Sequence, residues 1–192
     1  MFRTGNNGKS LIVGALLATG LAAGAASAGA DSSVPFTARQ GLDPARDAAL
    51  SWASDARLVY LENDEVVSPA GKSSRWGYLF YSQSKGEARG YSIRDGAILE
   101  AADLGFDFEA PPLPDSWVDS AGVLAAAEKK AGRKFREEHG GRLTAMLLIR
   151  GALHDKKPDA STWAIVYTAG DKPALIVVID AADGKVIKTW RG

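Results

Sequence analysis

Hydrophobic and polar positions alternate along the chain in two recurring periods. Ala45, Ala48, Ala49, Trp52, Ala53 and Ala56 recur at helical spacing behind Asp43-Pro44. Asp43 is suited to cap free amides, and Pro44 suits a first helical position because its missing N–H costs nothing there. Strand-like runs follow at Arg57–Glu62, Trp76–Ser82, Ala88–Ile93 and Ala97–Ala101, with Gly86 marking one turn and Asp95-Gly96 a tight hairpin. Pro111, Pro112 and Pro114 then break the pattern, since proline neither continues a helix nor sits in a central strand.

The same order returns after the prolines. Ser116 and Asp119 have capping-box-like spacing, and Trp117, Ala121, Leu124, Ala131 and Phe135 form one apolar seam ended by Gly140-Gly141. Strands are predicted at Leu143–Ile149, Trp163–Thr168, Ala174–Asp180 and Lys185–Trp190, with turns at Asp171-Lys172-Pro173 and Asp183-Gly184. Leu61 to Trp76 and Leu148 to Trp163 are both fifteen positions apart. Trp76-Gly77-Tyr78-Leu79-Phe80-Tyr81 answers Trp163-Ala164-Ile165-Val166-Tyr167, and Asp95-Gly96 answers Asp183-Gly184. The expected fold is α+β, a helix followed by four antiparallel strands, twice, packed as one body with helices over a sheet face. The expected division is a leader over 1–30, a first repeat over 31–102, a Pro-rich linker over 103–115 and a second repeat over 116–192.

Ahead of the repeats, Arg3 and Lys9 precede an apolar run from Leu11 to Ala26, and small-residue sites follow at Ala26-Ser27-Ala28 and Ala28-Gly29-Ala30. A basic start, an apolar core and a small-x-small site make a secretory signal peptide, with cleavage after Ala28 or Ala30. Gly14, Thr19, Gly20 and Gly24 interrupt the run, which argues against a membrane anchor. The expected location is periplasmic or secreted, with no integral membrane segment after cleavage. The chain has no cysteine. That removes disulfides, thiol chemistry, thiolate metal sites and a lipidated cysteine, and leaves packing alone to hold an exported protein. Losing Arg3 and Lys9 leaves 21 basic residues against 23 acidic, a net charge of −2. Such a balance gives no pull toward nucleic acid.

An Ala-rich helix, a Trp opening an apolar strand and an apolar strand ending in Asp-x-x-Asp-Gly resemble the PepSY module. The likeness is best from Val118 to Trp190, on Ala121, Ala125, Trp163, Ile165, Tyr167, Val177, Val178, Ile179, Asp180, Asp183, Gly184 and Val186. The first half matches through Trp76, Tyr78, Tyr91, Ile93, Asp95 and Gly96, and departs in its short helix and in Ser92, set against Asp180. The resemblance implies a non-catalytic binding or inhibitory module and transfers no catalytic residue.

Candidate chemistry is sparse. His139 and His154 are the two histidines, too few and wrongly spaced for a zinc site. No serine sits in a Gly-x-Ser-x-Gly elbow, and no phosphate loop or dinucleotide fingerprint occurs. Asp103, Asp107 and Glu109 fall in the Pro-rich linker, where solvated acids are expected, and Asp180 and Asp183 read as a hairpin turn and not a calcium loop. No catalytic residue, metal or cofactor is expected. In the Trp76 strand, Trp76, Tyr78 and Phe80 share one face, and Leu79 and Tyr81 the other. Either both faces are covered or one binds a partner. The expected binding surface is aromatic: Trp76, Tyr78, Tyr81, Tyr91, Trp163 and Tyr167. The function expected is protein or peptide binding, including peptidase inhibition, with an exported protein or peptidase as partner; the alternative is a periplasmic carrier of a small apolar ligand.

Overall fold

Strand β1 (Arg57–Asn63) opens a sheet that continues through β2 (Arg75–Ser82), β3 (Glu87–Arg94), β4 (Ala97–Asp103), β5 (Arg142–Arg150), β6 (Ser161–Ala169), β7 (Lys172–Asp180) and β8 (Val186–Arg191). The computed structural model describes residues 33–104 and 110–192. The leader over 1–30, and Asp107 and Glu109 of the linker, lie outside the described residues.

All eight strands form one sheet in the order β4-β3-β2-β1-β5-β6-β7-β8, antiparallel at every step. The order runs outward from the β1–β5 pair as two meanders. That central pair is short, matching Tyr60 with Ile149, Leu61 with Leu148 and Glu62 with Leu147. Asn63 lengthens it by a side chain, its Oδ1 accepting the Met146 amide at 2.6 Å.

Helix α1 (Leu42–Trp52) packs over β2, β3 and β4. It starts earlier than expected: Gly41 is the cap position and Asp43 makes no capping bond. Pro44 is the third helical residue, where a backbone N–H would still lack an intrahelical acceptor. Helix α2 (Ser120–Ala127), a π-helical turn (Glu128–Gly132) and α3 (Arg133–His139) run on as one rod against β6 and β7. Asp119 itself caps α2, accepting the Ser120 amide at 2.7 Å and the Arg39 amide at 3.0 Å, so the expected Ser116 cap is corrected. The π-turn carries an extra residue, which shifts the helical phase. Val123, Leu124 and Ala127 before it and Phe135 after it face the core, whereas Ala121 of the expected seam is exposed and Trp117 precedes the helix. Gly140 ends the rod at φ 60°, a left-handed position that glycine takes without a Cβ penalty.

The sheet's helix-covered face is the main core. Leu61, Trp76, Tyr78, Phe80 and Ile93 of one meander join Met146, Leu148, Trp163, Ile165, Tyr167 and Val177 of the other in one cluster with the helices. α1 turns Leu42, Ala45 and Ala49 into this core with Trp52 packed at its end, so over the middle of the helix the strands supply the bulk. Trp76 and Trp163 are both fully buried. Each donates its indole N–H to a backbone carbonyl 2.9 Å away in the segment leading into a helix, Phe36 for Trp76 and Val118 for Trp163. Trp76 stands opposite Ile93 and Trp163 opposite Ile179, and the outer strand pairs are bulged at these same places. On that register Arg94, not Ser92, takes the position of Asp180.

The described part of the linker is extended and pinned. Leu113 donates its amide to Leu58 at 2.7 Å, Arg150 reaches the Pro112 carbonyl at 3.0 Å, and Arg39 donates to the Trp117 carbonyl at 2.6 Å while stacking on its ring. Trp117 in turn meets Trp163 edge-on at 5.8 Å.

Candidate functional site

Five of the six aromatics expected at a surface lie in the helix-covered core. Trp76, Trp163 and Tyr167 have no exposure, Tyr78 has 1 % and Tyr91 4 %. Their polar atoms are turned inward: the Tyr78 hydroxyl donates to the Ala38 carbonyl at 2.7 Å, and Tyr91 reaches the Ala48 carbonyl at 3.4 Å. An apolar strand of both-face hydrophobicity therefore reflects a sheet covered by helices on one side and partly lidded on the other. Tyr81 alone of the six points to the second face, which is helix-free among the described residues and where it is half-buried.

That helix-free face is the candidate interaction surface. One part is apolar: Leu147, Ala164 and Val178 are buried there beneath Leu153 of the β5–β6 loop, and half-buried Tyr60, Ile149, Ile176, Ile187 and Trp190 surround them. Leu104 and Ala110 cover a second patch on Val59, Leu79 and Ala88, with Tyr81 at its border.

Tyr60 touches both patches, and beside them, on β1 to β4, the face is polar. Tyr60 donates its hydroxyl to Glu62 Oε2 at 2.7 Å. Asp64 Oδ2 accepts the Ser92 hydroxyl at 2.6 Å and lies 3.2 Å from Arg75 Nε, and Arg75 also reaches Glu100 at 3.3 Å. Gly77 makes this possible, because a Cβ there would stand 2.8 Å from Asp64 Oδ1. Burial raises the pKa of both Glu62 and Asp64 above the usual carboxylate range; the Tyr60 hydrogen bond opposes the shift at Glu62, and Ser92 and Arg75 oppose it at Asp64. Burial also raises the Tyr60 phenol. The sequence reading missed Tyr60, Glu62, Asp64 and Trp190. The available signal was Gly77 between two large aromatics, which marks a close approach in a strand.

The remaining candidates serve the scaffold. His154 Nδ1 accepts the amides of Lys156 and Lys157, both at 3.2 Å, and so shapes a loop. His139 packs edge-on to Phe135 at 5.2 Å. Asp180 accepts the Ala182 amide at 2.9 Å, and Asp183 accepts the Lys185 amide at 3.0 Å and its ammonium at 2.7 Å, as turn-forming acids do. Among the described residues no group of three His, Cys, Asp or Glu side chains is placed to hold a metal ion, and no helix is long and apolar enough to cross a membrane. A depression of about 230 Å³ on the outer side of the π-turn is lined chiefly by charged side chains, among them Lys129, Lys130, Arg133 and Glu137.

No protein-family model and no curated protein matches this chain. Among solved structures, a protein from Clostridium difficile 630 described as a lipoprotein shares the fold at a TM-score of 0.51, with 16 % identity over 77 % of this chain and 90 % of that one. A C-terminal domain of YpeB from Bacillus megaterium aligns at a TM-score of 0.30, with 10 % identity over 80 % of this chain and 64 % of that one. The first likeness is one of fold. This chain has no cysteine on which a lipid could be carried.

Proposed function

We propose that this chain is an exported, non-catalytic binding module of two PepSY-like repeats, which engages a protein or peptide partner through the helix-free face of its sheet. The repeats are residues 31–102 and 116–192, joined by the linker over 103–115. The reading is supported by the paired burial of Trp76 and Trp163, their matching indole hydrogen bonds, the matching bulges in the outer strand pairs and the outward mirror order of the strands. The fold shared with a bacterial protein described as a lipoprotein agrees with export.

One observation carries the choice of face. The helix side is closed by α1 and the α2–α3 rod, while half-buried Tyr60, Tyr81, Ile176, Ile187 and Trp190 line the other side beside a polar cluster. Tyrosine and tryptophan with an apolar body and a polar tip suit a protein contact. The small-ligand carrier has less support. The space between sheet and helices is filled by packed side chains, and the depression at the π-turn is lined by charge.

The test is photo-crosslinking from position 190 and from position 50 of the exported protein, together with assays of peptidases in the exported fraction. A protein adduct formed from position 190, absent from position 50 and lost in Ile176→Asp supports the reading. No adduct from position 190, with no peptidase inhibited, rejects it.

A further inference from the structure

We propose that the two free edges of the sheet join copies of this chain head to tail, β4 of one copy pairing with β8 of the next. Among the described residues β4 pairs only with β3 and β8 only with β7. An outermost strand presents a row of unpaired backbone donors and acceptors, a template for a further strand.

Direction permits the join. Eight strands alternating in direction leave the two outermost antiparallel to each other. A second copy set beside the first in the same orientation therefore brings its β4 antiparallel to β8 and keeps the helices of both copies on one face.

The side chains favour it. β4 carries Glu100 and Asp103 and no base, whereas β8 carries Lys188 and Arg191 and no acid. Glu100 stands opposite Ser92 and Lys188 opposite Val178, which puts both on the helix-free face near the middle of their strands. β4 lacks the lysine or proline by which natural edges are blunted. It is exposed throughout, with Ile98 at 41 % and Leu99 at 52 %, and Val34, hooked by its amide to Asp95 of the β3–β4 turn, extends the apolar rim.

A second copy turned to pair β4 with β4 is disfavoured, because full overlap sets Glu100 against Glu100, and like charges directly opposite each other repel. Glu100 and Lys188 already hold Arg75 at 3.3 Å and Asp155 at 2.7 Å. The new pair thus shares charges engaged at surface strength, and the assembly is salt-sensitive. A head-to-tail join does not close on itself unless its rotation does, so size grows with concentration.

Sedimentation velocity of the purified protein over a concentration series, at low and high salt, tests this. The expected result is a mass that rises with concentration and falls with salt. Glu100→Lys alone and Lys188→Glu alone should each weaken association roughly tenfold, since each turns an attraction into a repulsion. An equal mixture of the two variants should associate again, because each meets its opposite charge on the other. Both positions are surface strand sites, and an unchanged circular dichroism spectrum verifies folding. A wild type that stays monomeric at every concentration overturns the proposal. So does association untouched by Lys188→Glu, which would mark a symmetric β4 dimer, or a mixture no stronger than the single variants.

Discussion

Replacing Gly132 by alanine sets two known effects against each other inside the π-turn. Gly132 has helical backbone angles, φ −61° and ψ −48°, so alanine there is conformationally favourable by about 1 kcal/mol. Its Cβ, however, would stand 2.4 Å from the Tyr167 hydroxyl oxygen, 2.5 Å from Tyr167 Cζ and 3.0 Å from Glu128 Oε1. Ordinary contact begins near 3.5 Å, so the ring must retreat by about 1 Å. Tyr167 has nowhere to go: it is fully buried in β6, and its ring meets Phe135 at 6.4 Å. Overpacking costs about 1–3 kcal/mol, and an overlap of about 1 Å with a ring that cannot retreat belongs to the upper part of that range, about 2–3 kcal/mol. The net expectation is a loss of about 1–2 kcal/mol, since the propensity gain offsets only part of the strain. With a urea slope of about 2 kcal/mol per M, the unfolding midpoint falls by about 0.5–1 M. Gly122→Ala is the internal control. Its Cβ would meet only Val118 Cγ1, at 2.9 Å, the end of a half-buried side chain that can turn aside. That variant should match or slightly exceed the parent. Urea titrations followed by tryptophan fluorescence at one pH give both numbers. A Gly132→Ala protein at least as stable as the parent would refute the claim that this glycine exists to admit Tyr167.

Trp163→Phe shrinks a fully buried ring and leaves the Val118 carbonyl without its indole donor. A loss of about 2–4 kcal/mol in chemical unfolding is expected, and a loss under 0.5 kcal/mol would mean that the bond is idle. Glu62→Gln keeps an acceptor for Tyr60 and removes a charge that burial disfavours. The folded pKa of Glu62 is raised, so the parent loses stability as pH climbs from the ordinary value of 4.5 through the folded one, and the variant should be the more stable at pH 7 with a flatter profile in thermal melts. Asp55 behaves oppositely. Hydrogen bonds from Ser82 and the Ser84 amide lower its pKa to about 2, so its contribution is complete above 3.8 and is lost as pH falls toward 2. A carbon-detected NMR titration should find that midpoint, and Ser82→Ala should raise it.

Strands were the legible part of this sequence because their punctuation is local. Asp95-Gly96 has positive φ at both residues, 51° and 74°, as a tight hairpin requires, and all eight predicted strands exist with ends that differ by at most two residues. What failed to show was anything that depends on a distant partner. The phase of the second helix changes at the π-turn because Gly132 admits a tyrosine from β6, which no 3.6-residue period reveals. The aromatics of β2 look alike on paper whether they face helices or solvent, and α1 and the α2–α3 rod decide it. Asp64 lies beyond the end of the predicted strand Arg57–Glu62, yet the missing Cβ of Gly77 and the Ser92 hydroxyl seat it against the sheet.

The narrow β1–β5 seam has a mechanical consequence. Three residue pairs and one asparagine side chain join the two meanders edge to edge, far less than the ladders within each meander. Beyond the shared apolar core, crosswise contacts add to this seam: Leu113 bonded to β1, Arg150 holding Pro112, and Arg39 clamped to Trp117 beneath Trp163. The proline-rich stretch is therefore a cross-brace as well as a tether: severed from it, the two plates would keep their own ladders but lose much of what keeps them flush.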